Sequence, residues 1–226
     1  MQAQGGSGLP KYTHTDVVDM AFMKRTGSSE DWYLSSRLIS ERYLVTNNAN
    51  EDAASTNFSF DYSKGWYEAT TDRQAYMFKR AKGFMDVVTY KGTGSGGLQL
   101  NHNLGVTPEL VIQKGRSTGT TWAVAAKITD TKFRLGTLNS SGALSEITYA
   151  SEARYFTDFS DTTITVGTQY NSNDTFIMFL FASLAGISKV GTFATSQDLV
   201  VDCGFTNGAR FVLLKRIPAA NTSWDH

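Results

Sequence analysis

The stretch LQLNHNLGVTPELVIQK at residues 98–114 matches LVVDCGFTNGARFVLLK at residues 199–215 position by position, without a gap. Apolar residues fall on apolar residues through most of the alignment, and Lys114 falls on Lys215. Repetition at a fixed period is the sequence sign of a repeat architecture. We therefore predict a chain built by repeating one β-rich unit, a plan typical of spacers, binding arrays and shell components.

A second match, at a shift of about 90 positions, links the first part of the chain to the same stretch. It divides the sequence into a flexible segment 1–10, a first unit 11–84 whose opening hairpin is missing or altered, a complete second unit 85–186 and a partial third unit 187–226. The positions that align are Phe22 with Ile112, Lys24 with Lys114, Trp32 with Trp122, and Tyr43 with Phe133.

The composition favours strands and argues against several classes of partner. The chain of 226 residues contains fourteen Phe and ten Tyr, and aromatic residues are enriched in strands. Basic and acidic residues number 21 each, so no overall field attracts nucleic acid or an anionic membrane. Cys203 is the only cysteine, which excludes an intramolecular disulfide. We predict an all-β fold of tandem antiparallel β-sandwich-like units.

The sequence predicts neither a membrane span nor a signal peptide. The apolar run Phe176–Ile187 is shorter than the ~18 residues of a spanning helix. The first ten residues lack the basic and apolar regions of a secretion signal, so we expect synthesis in a cytoplasm. Phe176–Phe181 is apolar on both faces and is predicted to be a central strand buried on two sides, with a buried helix as the alternative.

Period-2 alternation and turn residues predict the other strands, and Gly92–Gly97 is predicted to be a hairpin turn whose return strand begins at Leu98. In the first unit these strands are Val17–Met23, Trp32–Leu38, Arg42–Thr46, the alternating stretch Phe58–Tyr62, Trp66–Ala69 and Ala75–Lys79. In the second and third units they are Val87–Tyr90, Leu98–Leu100, Thr107–Gln113, Trp122–Ala126, Lys132–Leu135, Ile147–Tyr149, Thr162–Val166, Val190–Phe193, Leu199–Val201 and Arg210–Leu214.

Several motifs are compatible with chemistry, but a structural role is the preferred interpretation of each. The glycine-rich stretch lacks the helix that a phosphate loop needs. His102 aligns with Cys203, and the other histidines, His14 and His226, lie near the termini, so the sequence does not indicate the three or four converging ligands of a zinc site. The carboxylates are scattered and predict no glycosidase pair. We expect no enzyme and no catalytic, cofactor or metal site. The oxygen-bearing residues that match no Ca²⁺ loop pattern and are interpreted as solvated turns are Asp158, Asp161, Asn171, Asn173 and Asp174.

Tryptophan and lysine recur at equivalent positions in all three units, and this recurrence predicts a structural role in which each indole packs in the core of its unit. A sugar-stacking platform is the alternative, because it uses the same residue type exposed to solvent. Trp66 and Tyr67 have no clear counterpart in the second unit and are therefore candidate contact residues. The recurring set is Trp32, Trp122, Trp224, Lys24, Lys114 and Lys215.

The partial third unit, residues 187–226, has two interpretations. In the first, the chain is a piece of a longer array, or the boundary between units lies elsewhere. In the second, this segment supplies strands to the incomplete first unit, within one chain or from a neighbour, because a matching strand removes an unpaired sheet edge.

Four motifs together resemble an uncharacterised domain that occurs in tandem in tail-fibre-like and other virion proteins of marine bacteriophages. The resemblance covers nearly the whole chain after residue 12 and implies an all-β structural component of a phage, without implying any catalytic residue. The motifs are AYMFKRAKGFMDVVTYKGTG at 75–94, NHNLGVTPELVIQK at 101–114, FLFASLAGISKVG at 179–191 and CGFTNGARFVLLKR at 203–216.

The function expected from these features is that of a phage virion structural protein, in a tail fibre or spike that attaches to the host surface. The partners expected are other virion proteins and a host-surface glycan, without nucleic acid or membrane insertion. A homo-oligomer is expected, with a trimer favoured. The alternatives are a capsid or tail decoration or adaptor protein without receptor contact, and a carbohydrate-processing enzyme.

Overall fold

The computed structural model describes residues 2–127, 132–148, 154–194 and 199–217. It confirms the predicted all-β class, with 39% of residues in strands and 3% helical. Trp224 and Tyr149 lie outside the described residues. Within the described ranges no helix has the length and apolar character to cross a membrane. The strands are β1 (Gln2–Gln4), β2 (Met20–Arg25), β3 (Tyr33–Ser36), β4 (Arg42–Val45), β5 (Ala53–Ala54), β6 (Arg73–Phe78), β7 (Met85–Lys91), β8 (Leu98–Asn101), β9 (Leu110–Gly115), β10 (Ala123–Lys127), β11 (Lys132–Thr137), β12 (Ser145–Thr148), β13 (Phe156–Phe159), β14 (Thr163–Val166) and β15 (Thr175–Phe181).

The strands form three antiparallel sheets, two of which share one strand order. The first sheet runs β1-β6-β2-β3-β4-β5, and the central sheet runs β7-β15-β9-β10-β11-β12. In both, the strand that comes first in the chain lies at the edge, beside the strand that comes last. The third sheet is β13-β14-β8. The shared order is what a duplicated unit predicts, and the duplication itself remains an interpretation.

The central sheet is buried on both faces, as predicted for Phe176–Phe181. In β15, Met178 and Leu180 belong to the core between the central and third sheets. Ile177 and Phe179 belong to the core between the central and first sheets. Successive side chains of a strand point to opposite faces, so one continuously apolar strand supplies both cores.

Irregular segments, instead of a further sheet, cover the outer face of the first sheet. Phe58, Phe60 and Trp66 are buried there with Tyr12. The strands predicted over Phe58–Tyr62 and Trp66–Ala69 are wrong, because this region contributes only isolated bridges such as Ser59 with Tyr67. The alternation of Phe58 and Phe60 therefore reflects burial of these two side chains against the first sheet, although the segment is not a continuous strand.

The glycine-rich stretch between β7 and β8 is a crossover, and the predicted hairpin is wrong. β7 lies in the central sheet, whereas β8 lies in the third sheet. A Cβ at Gly92 would lie 1.8 Å from the carbonyl oxygen of Ser172, so glycine is required for this close approach. The amide of Gly94, which has a φ of 78°, donates to the carbonyl of Asn171.

Two further boundaries differ from the sequence expectations. Residues 1–10 were expected to be flexible, but Gln2–Gln4 form β1 and pair with β6. When Trp32 is aligned with Trp122, the pairings within each sheet place Tyr43 at the position of Leu135, two positions from the predicted Phe133. Both differences arise because pairing partners distant in sequence decide where a strand begins and in which register it lies.

The segment after β15 contains none of the predicted strands in its described residues. Val190–Phe193, Leu199–Val201 and Arg210–Leu214 are not in strands. Phe211 instead packs edge-on against Phe22 of β2. The interpretation in which this segment adds strands to the first unit of the same chain is therefore wrong for residues 187–194 and 199–217, and the version with a neighbouring chain remains a prediction.

Candidate functional site: an aromatic depression on the first sheet

A depression of about 480 Å³ opens at one end of the first sheet, where β2 turns into β3. Gly27 has a φ of 70° and makes this turn possible. The turn brings the end of β2 beside Trp32 and the start of β6. The residues that line the depression are Lys24, Arg25, Thr26, Gly27, Ser28, Trp32, Gln74 and Tyr76.

The floor of the depression is a stack of aromatic rings. The indole of Trp32 lies on the ring of Phe22, with centroids 4.5 Å apart and planes inclined by 10°. Tyr76 lies beside both rings, at 6.5 Å from each. All three side chains are half-buried. Trp32 therefore has a rigid support from Phe22 and remains accessible from the solvent side.

The rim of the depression carries hydrogen-bonding and charged groups. The Lys24 ammonium lies 5.7 Å from the Trp32 ring centroid, which is within the range of a cation–π interaction. Arg25 is held by Asp72, with 2.8 Å between Nε and Oδ2. Gln74 adds an amide and Ser28 a hydroxyl. An accessible aromatic ring beside amide, hydroxyl and ammonium groups can take the C–H face of a sugar and bind its hydroxyls.

The recurring tryptophans differ in their surroundings. Trp122 is fully buried between the first and central sheets, as predicted for the recurring set, and its Nε1 donates to the carbonyl of Val45 at 2.9 Å. Trp32 is half-buried and forms the floor of the depression. Trp32 therefore fits the alternative interpretation, an accessible stacking platform, better than the predicted core role.

The recurring lysines also differ. Lys114 is fully buried, and its Nζ donates to the carbonyls of Gly115 at 2.7 Å and Ala49 at 3.3 Å. Lys24 is half-buried at the rim. Lys215 is half-buried and donates to the carbonyl of Ser140. Only Lys114, of the three, has the core position that recurrence predicts.

The buried ammonium of Lys114 predicts a pH dependence of stability. Burial lowers the pKa of Lys114 to about 8 in the folded protein, from its ordinary value of 10.5. Below about pH 8, Lys114 is protonated in both the folded and the unfolded state, so the folded state bears the full cost of burying the charge. Between about pH 8 and 10.5 the folded state loses this proton while the unfolded state keeps it, and the cost disappears. The free energy of unfolding of the protein minus that of Lys114→Met should therefore rise over this interval in urea titrations. A difference that is constant from pH 7 to 10.5 would contradict the lowered pKa.

The two candidate contact residues lie in the segment that covers the outer face of the first sheet. Trp66 is fully buried and stacks on Tyr12 and Phe60. Its complete burial makes it a core residue and not a surface contact. Tyr67 is half-buried, and the Lys11 ammonium lies 6.0 Å from its ring centroid. The structure does not bring either residue to the depression.

The polar residues singled out in the second unit have structural partners. His102 is buried, and its Nδ1 accepts from the Leu104 amide at 3.3 Å while Nε2 lies 3.2 Å from the Ser160 carbonyl oxygen. Burial lowers the pKa of His102. The Asp174 carboxylate accepts from Thr175 and from the hydroxyls of Ser117 and Thr118. These contacts occupy the groups that a metal or proton-transfer site would use.

The expectation of solvated turns is wrong for Asn171 and Asp174, which are buried, and for Asp158, which lies in β13. Asp161 and Asn173 are exposed and lie outside the strands. Asn171 donates from Nδ2 to Thr93 Oγ1 at 2.9 Å, and Thr107 donates to Asp161 at 2.8 Å. Across the described ranges no cluster of three or more His, Cys, Asp or Glu side chains could hold a metal ion.

Comparison with known families places the depression outside the matched region. Residues 77–225 match the family described as a domain of unknown function, DUF7483. The match begins at the end of β6 and continues through the central and third sheets, whereas the depression is formed by β2, the segment between β2 and β3, and β6. No curated protein and no solved structure matches the chain. Since the matched region is about two thirds of its length, the chain belongs to the DUF7483 family.

Proposed function

We propose that this protein is a structural component of a bacteriophage virion, in a tail fibre or spike, and that it attaches to the host surface by binding a glycan in the depression. The observation that carries the proposal is the supported, accessible indole of Trp32 with a polar rim. The resemblance of the four sequence motifs to tandem domains of phage virion proteins supports the setting. The all-β architecture is compatible with this role and assigns no chemistry.

The shape and charge of the site favour binding over turnover. Glycoside hydrolysis needs two carboxyl groups about 5–10 Å apart, whereas none of the residues that line the depression, all of them described, is acidic. Lys24 instead places a positive charge over the platform. A glycan that carries a carboxylate or phosphate group would therefore be favoured over a neutral one.

A decoration or adaptor protein is the second candidate, and a specific observation favours it. Nine large apolar side chains are exposed among the described residues after β15, including Val200 at 89% exposure. Exposed apolar surface of this extent is typical of sites that contact other proteins. Both candidates place the protein on a virion, so they differ in whether the depression has a ligand.

The test of glycan binding is a printed array of bacterial surface polysaccharides, followed by calorimetric titration with the best ligand. Trp32→Ala should weaken binding about five- to thirtyfold, because stacking on an aromatic ring is worth on the order of 1–2 kcal/mol. Tyr67→Ala is the matched control, since it removes a half-buried aromatic side chain from the segment that covers the other face of the same sheet.

The outcomes separate the two candidates. Loss of binding in Trp32→Ala with retention in Tyr67→Ala supports attachment through the depression. An array without any bound glycan, or equal binding by both variants, would overturn it and leave the adaptor role. Antibody labelling of particles tests the virion setting separately.

A further inference from the structure

The chain leaves the first and central sheets through the same turn. After β6, the amide of Ala81 donates to the carbonyl of Met85 at 3.0 Å; after β15, Leu184 donates to Ser188 at 3.1 Å. The reverse bonds, from Met85 to Ala81 and from Ser188 to Leu184, are also present. Each turn contains a glycine in the left-handed region, Gly83 at φ 74° and Gly186 at φ 73°. The two turns therefore send the chain onward in the same local geometry.

The segment that follows the second turn resembles β7. Residues 188–194 read SKVGTFA, against MDVVTYK for β7, so that Val190 aligns with Val87 and Thr192 with Thr89. After the first turn the chain forms β7, which pairs along its whole length with β15. Residues 188–194 are not in a strand. A segment with the sequence of an edge strand thus lacks the neighbour that its counterpart has.

Residues 188–194 lack a neighbour equivalent to β15, and in the first sheet the strand equivalent to β15 is β6. It occupies in the first sheet the place that β15 occupies in the central sheet, between the edge strand and the following strand of its unit. Its edge neighbour β1 is three residues long and pairs only with Gln74, Ala75 and Tyr76. Arg73, Met77 and Phe78 therefore have no partner in β1. A short edge strand is the weakest position in a sheet and the one that a longer strand can replace.

We propose that residues 188–194 of one copy of this chain pair with β6 of a second copy, in the place of β1, as β7 pairs with β15. The registers of the two sheets then set Val190 opposite Tyr76 and Thr192 opposite Gln74. Val87, the counterpart of Val190, is only 3% exposed, so Val190 would become buried beside Tyr76. Gln74 and Tyr76 also line the depression, so the paired segment would form one edge of it, but the pairing itself does not require a bound glycan.

The contact joins two different surfaces and is therefore head-to-tail. Such contacts either close into a ring, which includes the trimer expected from the sequence, or continue as a filament. Residues 188–194 of each copy pair with β6 of the next copy, so repetition of this one interface is enough to build either a ring or a filament.

Disulfide trapping of the full chain tests the register. Two single-cysteine proteins, Thr192→Cys and Gln74→Cys, each with Cys203→Ser, are mixed and oxidised. Paired residues on neighbouring strands lie within the 4.4–6.8 Å Cα separation of disulfides, so we expect a cross-linked heterodimer. Thr192→Cys mixed with Gln99→Cys, an exposed site on β8, is the control and should not cross-link.

Light scattering of the unmodified chain over a range of concentrations supplies the second measurement. The double variant Val190→Asp with Phe193→Asp should raise the dissociation constant of the assembly at least about tenfold, whereas Val200→Asp, an exposed apolar position outside residues 188–194, should not. Selective cross-linking together with this selective dissociation supports the proposal. A monomer at every concentration, cross-linking in the control mixture, or equal dissociation by Val200→Asp would overturn it.

Discussion

Replacement of Trp122 by alanine should lower the free energy of unfolding by about 4 kcal/mol, the range for a large aromatic residue removed from a core. Trp122 is fully buried between the first and central sheets. The substitution leaves a cavity there and also removes the donor to the Val45 carbonyl. An unsatisfied buried carbonyl adds to the cost. Urea unfolding of the purified variant measures the loss.

The control is the same substitution at the aligned tryptophan. Trp32 is half-buried, so Trp32→Ala should cost less than half as much as Trp122→Ala. Equal losses would mean that the depression is closed in solution, or that Trp122 is less enclosed than the structure shows. Phenylalanine at position 122 should recover part of the stability, because it fills most of the volume without restoring the hydrogen bond.

Asp52→Ala should lower the free energy of unfolding by about 3 kcal/mol, as expected when one partner of a buried ion pair is removed. The Asp52 carboxylate is buried and accepts hydrogen bonds from one arginine of the first sheet and from one arginine beside the central sheet. Its Oδ1 lies 2.6 Å from Arg42 Nη2 in β4, and its Oδ2 lies 2.8 Å from Nε of Arg116, which directly follows β9. Removal leaves the largely buried Arg116 guanidinium without this partner.

A double-mutant cycle isolates the interaction of Asp52 with Arg116 from the other effects of each substitution. Asp52→Ala with Arg116→Met should be less destabilising than the sum of the two single changes, because the second removes the charge that the first leaves unpaired. Glu146→Ala is the control: Glu146 pairs with Lys132 at 2.6 Å, but both side chains are over 40% exposed, and such pairs contribute on the order of 0–1 kcal/mol. Additive losses in the cycle would contradict the bridging role of Asp52.

The sequence predicted the parts of this fold that depend on local pattern. Phe176–Phe181 was identified as a doubly buried strand because its apolar residues are continuous. Gly92–Gly97 shows the limit of such reasoning, since glycine permits both a hairpin turn and a crossover, and only the distant contact with Ser172 selects between them. The strands predicted after β15 match β7, β8 and β9 in sequence, but a strand requires a partner, and local pattern does not supply one.

The candidate site was only partly predictable. Trp32 and Lys24 were singled out because they recur. Recurrence indicated a core role, and among the described members of the set only Trp122 and Lys114 have that role. The useful signal lay nearby: Thr26, Gly27 and Ser28 form a small polar turn directly before Trp32. Trp66 was singled out because it interrupts the repeat, but it does so because aromatic residues fill the core where the first unit has no third sheet.

The use of one strand for two cores has a consequence for the dynamics of the molecule. β15 contributes Met178 and Leu180 to one core and Ile177 and Phe179 to the other. Displacement of β15 during local opening of one core must therefore also disrupt the packing of the other core. The two cores should for this reason unfold in one cooperative event. Amide protons of β15 should exchange with deuterium at the rate of global unfolding, whereas those of the edge strands β1 and β12 should exchange through fraying.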